Sequence, residues 1–426
     1  ANDASCFVSI DVSWLLWRIL NFSPSVWSDY WNSGWVLDGM DVFDHDACHR
    51  IHALHSSVQN APAVMSDGII RAESIRRAAM DAIWRRMDDI TECCGTDFPL
   101  FRVASAERWT FSRRGSWIGG FWAGLWWLRA RITGRTRFLE HASNWCSRLA
   151  PVLKEESVNR SFVFWYGAAV GAREMADREA ERCASHATMT IEKSFDDSLG
   201  LWPLGQGLGG GSTGPYTLDV DSLAPLLQLM NACGGRSGKV KARRHLDACL
   251  SRLQMGNGVW RGRVRIRDGQ EGDEVVPCTT GGARIQAWAM LGLADAARLY
   301  DEAAYRDAAL RACSCWCDRF GRRGLDRPAG DEPCDPCASA IASVAMFKLW
   351  RLLPECSWLR DMSYGHIDGL LASRYFTSGR FEGHLYRTDR DRMQWVESPC
   401  ATFYLLEAVR LQVDDGSHLS FPAAED

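Results

Sequence analysis

No apolar run in these 426 residues reaches the roughly 20 needed to cross a bilayer. No block of lysine and arginine stands out either. The formal net charge is −4 and the isoelectric point lies near 6.2, so neither a membrane span nor a nucleic-acid partner is expected. An anionic ligand would have to be held by local arginines. The long glycine loop, Gly205-Gln206-Gly207-Leu208-Gly209-Gly210-Gly211-Ser212-Thr213-Gly214, lacks the lysine and the preceding strand of a phosphate cradle. A flexible cover over a pocket suits it better. Cys313, Cys315 and Cys317 fall on one helix, where side chains two residues apart point apart. With Cys334 and Cys337 they do not make the compact four-ligand frame of structural zinc. No metal and no cofactor is expected.

What the chain has in quantity is helix. Hydrophobic residues make up 46% of it, enough for a large core. Apolar positions recur with the helical period near 69–94, 116–133, 136–153, 160–175, 176–193, 219–233, 238–254, 280–299, 302–319, 335–353, 356–374 and 396–412. Similar turns join them in pairs, as in Ile132-Thr133-Gly134-Arg135-Thr136 and Leu299-Tyr300-Asp301-Glu302-Ala303. A hairpin every 40 to 60 residues or so marks a helical repeat whose units cannot bury their apolar faces alone. The expectation is an all-α fold, a closed ring of six helical hairpins over residues 69–426. Alternate helices should form an inner layer, starting with 117–132. Residues 1–68 read as an irregular arm packed on the ring. Alternation in Val259–Ile266 predicts a short hairpin on the rim.

Sixteen cysteines, an even number, predict some disulfides. The chain begins at Ala1 without an apolar leader, as a mature secreted chain would. Asn21-Phe22-Ser23 and Asn159-Arg160-Ser161 fit the N-glycosylation pattern. These signs together predict a secreted or lumenal glycoprotein. Twenty tryptophans add a further hint. A tryptophan near a turn suits a sugar ring, whose C–H face meets the π cloud.

Three segments carry candidate chemistry. Asp219 and Asp221 open an apolar helix after the glycine loop; either caps the helix or serves as a general acid/base whose pKa burial raises. Arg284 and Trp288 are four apart and share a helix face. An arginine grips a carboxylate in two places, and the indole stacks on the sugar that bears it. Trp117 opens a third helix, in which Gly120 and Gly124 permit close helix approach.

These pieces resemble the unsaturated glucuronyl hydrolases and the related unsaturated rhamnogalacturonyl hydrolases. The family's Trp-x-x-Gly-Phe-x-x-Gly corresponds to Trp117, Gly120, Phe121 and Gly124. Its aspartate six residues before Pro-Leu-Leu corresponds to Asp219, before Pro225, Leu226 and Leu227. Its Arg-Gly-Gln-Ala-Trp corresponds to Arg284, Ile285, Gln286, Ala287 and Trp288, and its closing helix to Tyr404–Leu411. The resemblance implies an (α/α)6 barrel. It also implies hydration of the 4,5 double bond of an unsaturated uronic acid at the end of an oligosaccharide. Asp219 would be the acid/base, with Asp221 as the alternative two residues on. Arg284, Gln286, Trp117 and Trp288 would line the substrate pocket. The chain departs from the family where a second aspartate is expected: Ser161 stands there. A hydroxyl orients a water but carries no charge, so Glu271 or Asp273 would have to complete the site. The alternative is a barrel without catalysis that binds a glycan or a protein partner.

Overall fold

The structure is a computed structural model and describes residues 71–266, 274–275, 282–321, 335–389 and 392–416. The 1–68 arm, the Asn21 sequon, Glu271 and Asp273 lie outside the described residues.

Twelve helices follow one another among the described residues. The first, α1, spans 71–94. Then come α2 (Gly119–Thr133), α3 (Thr136–Ser147), α4, α5 (Arg178–Glu192), α6 (Leu223–Cys233), α7 (Gly235–Leu253) and α8 (Gly282–Tyr300). The last four are α9 (Ala303–Phe320), α10 (Pro336–Leu352), α11 (Ser357–Leu371) and α12 (Pro399–Gly416). Helix α4 runs from Arg160–Phe164 through a π-helical stretch, Trp165–Ala169, into Val170–Met175.

The even-numbered helices form the inner ring. Each packs on the next, and α12 closes back on α2. Their composition dictates the placement. In α10 every residue from Pro336 to Phe347 is buried, and in α2 every residue from Gly119 to Ala130, and a helix apolar all round belongs in an interior. The odd-numbered helices pack outside them. In α3 and α5 the buried residues fall on one face, the mark of an outer layer. This is an (α/α)6 barrel. Glycine lets two inner helices touch: a Cβ on Gly120 would overlap the backbone of Val163 in α4.

Inner helices pass to outer ones through short turns, while outer helices return through long connectors. All six inner N-termini therefore share one end of the barrel, and the long connectors cover it. These connectors carry the strands. β1 (Phe98–Val103) and β2 (Thr110–Ser112) come from the first connector; β8 (His384–Asp389) and β9 (Arg392–Glu397) come from the last. They pair antiparallel in the order β2-β1-β9-β8, which ties the two ends of the ring together. A second sheet joins β3 (Thr217–Asp219), β4 (Arg263–Arg265) and β5 (Glu274–Val275). A hairpin of β6 (Phe376–Thr377) and β7 (Arg380–Phe381) completes the strands. Only the region of β4 is foreseen from sequence, and there β4 pairs with β3 and β5 rather than folding as a hairpin within 259–266.

The twelve described cysteines are free thiols, most of them packed in the core as small apolar groups; Cys6, Cys48, Cys278 and Cys334 lie outside the described residues. One further expectation needs correction. Asn159 is 8% exposed, and its Nδ2 donates to the Leu208 carbonyl at 3.2 Å. A glycan on that nitrogen has no route to solvent, so this sequon is a packing residue. Among the described residues no helix is long and apolar enough to cross a membrane.

The glycine loop is not a free cover. Gly207 N donates to Glu156 O and Gly205 N to Gly214 O. A Cβ on Gly210 or Gly214 would strike the Gly205 carbonyl. These glycines let the chain coil against itself beside the start of α4.

Candidate active site

The site grows from the second sheet. In β3, residues Thr217, Leu218 and Asp219 are all buried. Asp219 pairs in register with Arg263 of β4 and forms an ion pair with its guanidinium. The other Asp219 oxygen, Oδ1, accepts from Asp221 N at 2.7 Å. Asp219 therefore ends a strand, and α6 begins four residues later at Leu223. The capping role is excluded for it.

Asp221 is the chemically distinct carboxyl. Its Oδ1 is buried without a hydrogen-bond partner. Burial raises its pKa to about 7, and the charge of Asp219 adds to the rise against the pull of Arg263 and Arg284. A carboxyl in that state holds and releases a proton near neutrality.

Arg284, in the first turn of α8, is fully engaged on one side. Its Nη2 donates to Asp335 Oδ2 at 2.6 Å and to the Leu385 carbonyl at 2.7 Å. Its Nη1 donates to His384 Nε2 at 3.0 Å. Only Nε is left without a partner. Asp335, the Leu385 carbonyl and His384 between them take both Nη groups, so the two-pronged grip on a substrate carboxylate expected of Arg284 is not open to it, and only the Nε–H remains. Because Arg284 occupies Nε2, the His384 proton is on Nδ1, which donates to Ser398 Oγ at 2.6 Å. Burial, reinforced by Arg284, holds His384 far below its usual pKa and therefore neutral. Asp335 also caps α10, accepting from Ala338 N at 3.2 Å.

Aromatic rings close the barrel axis beneath. Trp117 is half-buried and meets Tyr386 at 6.4 Å and Phe162 at 5.7 Å between ring centroids. Phe162 meets Trp288 at 5.2 Å, and Trp288 meets Tyr404 at 5.2 Å. Phe121 stacks on Tyr166 at 4.6 Å. Trp117 thus lies at the upper edge of this layer. Trp288 is 3% exposed and is part of the layer itself, so its stacking face is spent on Phe162 and Tyr404. Gln286 faces away from the axis. Its Nε2 donates to the carbonyls of Gly258 at 2.8 Å and Ala312 at 3.0 Å, and its Oε1 accepts from Trp260 N. It locks α8 to α9 and the preceding loop rather than lining the pocket. Ser161 is fully buried in the first turn of α4, and its Oγ has no partner.

The structure thus brings Asp219, Asp221, Arg284, Trp117 and Ser161 to one end of the barrel, where six positive helix ends converge. Sequence reasoning missed Arg263 and His384 as members. Their only signal was an arginine-rich strand and a lone histidine.

No protein-family model matches the chain, and no curated protein sequence matches it. Solved structures do. An unsaturated glucuronyl hydrolase from Bacillus sp. GL1, described as responsible for degradation of glycosaminoglycan, superposes with a TM-score of 0.68 at 18% identity, covering 78% of this chain and 96% of that one. An unsaturated glucuronyl hydrolase from Streptococcus agalactiae gives 0.69 at 14% identity, covering 79% and 91%. A possible member of the GH105 family from Klebsiella pneumoniae gives 0.62 at 13% identity, covering 80% and 94%. At these identities the likeness is one of fold: the chain is built as the barrels of the unsaturated glucuronyl hydrolases are.

Proposed function

We propose that this barrel hydrates the C4–C5 double bond of an unsaturated uronic acid at the end of an oligosaccharide. The observation that carries the reading is Asp221, a half-buried residue whose Oδ1 is buried without a partner and whose pKa is raised to about 7. The convergent helix N-termini favour an anionic substrate there. Asp221 in its protonated form gives its proton to C4. As positive character develops at C5, a water adds its oxygen to that carbon and returns a proton to Asp221. The C5 hemiketal opens, and the aglycone leaves from C1 as an alcohol. The charge of Asp219 raises the Asp221 pKa and so favours the proton on Asp221. The likeness to the unsaturated glucuronyl hydrolases supports the substrate class, and Trp117 at the edge of the aromatic layer supplies a stacking face.

Ser161 favours a second reading, binding without turnover, because it supplies no charge where the family resemblance calls for an aspartate. The two separate in one experiment. Unsaturated disaccharides released by a polysaccharide lyase are incubated with the protein, and the ultraviolet absorbance of the conjugated double bond is followed. Hydration removes the absorbance. Saturable binding with unchanged absorbance supports the second reading and sinks the first.

A further inference from the structure

The inner helices end beyond the aromatic layer, and there the barrel holds a cavity of about 240 Å³. Its floor is the underside of the layer, with Tyr166 and Tyr404 joined by their hydroxyls at 2.5 Å. That layer separates it from Asp221. Arg131, Arg173, Arg298 and Lys348, from four different inner helices, stand in its wall. Cations at helix C-termini suit the negative end of the dipole, and that accounts for their presence but not for what they leave unpaired.

Each carboxylate in the wall is already used. Glu174 pairs with Arg131 at 2.7 Å. Asp295 accepts from Lys348 at 3.0 and 3.2 Å and lies 3.8 Å from Arg298. Glu407 takes the fork of Arg410 at 2.7 and 2.8 Å. Arg173 is exposed and has no carboxylate partner among the described residues; its guanidinium lies 5.8 Å from the ring centre of Trp165. Gln228 also lines the cavity. It is 7% exposed, and its amide makes no hydrogen bond among the described residues. Its amide opens onto the cavity, where a polar group of a ligand can meet it.

We propose that this cavity is a second binding site, for a single-ring carboxylate. The carboxylate pairs with Arg173, the ring lies against the edge of Trp165, and Gln228 meets a polar ring substituent. The volume is below the about 300–1,000 Å³ of pockets for drug-sized ligands, which limits the occupant to one ring. Two sources share that chemistry, a sugar acid and an aromatic acid.

Calorimetric titration at low ionic strength with glucuronate and, separately, benzoate tests the site in the wild type, Arg173→Ala, Gln228→Ala and Asp221→Asn. Wild type and Asp221→Asn should bind at least one probe saturably and alike. Arg173→Ala should weaken it about tenfold or more, the loss of a charged hydrogen bond. Arg173 is exposed, so this variant should melt with the wild type. Loss in Gln228→Ala of glucuronate alone assigns a sugar acid; benzoate binding indifferent to Gln228 assigns an aromatic acid. Failure of both probes to saturate overturns the proposal. So does binding that ignores Arg173→Ala, or that disappears in Asp221→Asn.

Discussion

Arg284 has the residue type and the helix position of a carboxylate grip, yet its partners make it first a structural cation. Asp335 and His384 lie 51 and 100 residues away in sequence, and nothing local announces them. Removing the guanidinium leaves the nearly buried Asp335 carboxylate without its counter-charge. Arg284→Ala should therefore cost about 3–5 kcal/mol of stability in urea unfolding, and Arg284→Lys should recover little of it, because an ammonium cannot reproduce the fork. Unchanged stability with a raised KM would instead make Arg284 a substrate ligand. The Asp219–Asp221 pair was legible in the chain, since two aspartates before a Pro-Leu-Leu helix are a local pattern. Which of them carries the proton was not. That depends on Arg263, which reaches Asp219 only through strand pairing 44 residues on.

The helices could be read because each repeats its apolar positions over three or more turns. The strands could not, because they are two to six residues long and their pairing joins distant connectors. This explains the main error of register, the placing of Asp219 in a helix: β3 takes residues 217–219, and α6 starts only at Leu223. Helix contacts are the part of the fold most open to test. A methyl group on Gly120 would meet the Val163 backbone, which cannot rotate aside as a side chain can. Gly120→Ala should lower stability by at least the about 1–3 kcal/mol of ordinary overpacking, read as a shift in the urea midpoint. Gly134→Ala is the control for glycine replacement outside a contact. Gly134 ends α2 at φ 65° with nothing within 4 Å of its Cβ position, so its loss should reflect backbone strain alone. A Gly120→Ala effect smaller than that of Gly134→Ala would contradict the close approach of α2 and α4.

At the scale of the whole molecule, buried titrating groups set the response to pH. Asp221 has a folded pKa of about 7 against an unfolded value of about 3.9. Between these the folded state holds a proton that the unfolded state has lost, so stability falls as pH rises from about 4 to about 7. His245 works the other way. Burial lowers its pKa to about 3, and its Nδ1 accepts from Trp202 N at 3.1 Å; the unfolded chain binds the proton first, so stability is lost as pH falls below about 6.5. The two slopes oppose each other between about pH 4 and 6.5. Asp221→Asn removes one of them, and its urea midpoint should rise relative to the wild type as pH goes from 4 to about 7. Parallel midpoints across that range would show that Asp221 titrates normally. Ring closure by the first and last connectors, which brings His384 and Trp117 to this same end, was beyond local sequence pattern because it pairs the two extremes of the barrel. In the proposed reaction the proton given to C4 comes from Asp221, and the rate of absorbance loss on an unsaturated uronide, measured across pH, reads that step. Asp221→Asn should slow the reaction by about 10²–10⁴-fold. Asp219→Asn should stay active, and the pH above which its rate falls should be lower than the wild type's, because the like charge that raises Asp221 is gone. An active Asp221→Asn beside an inert Asp219→Asn would contradict the account.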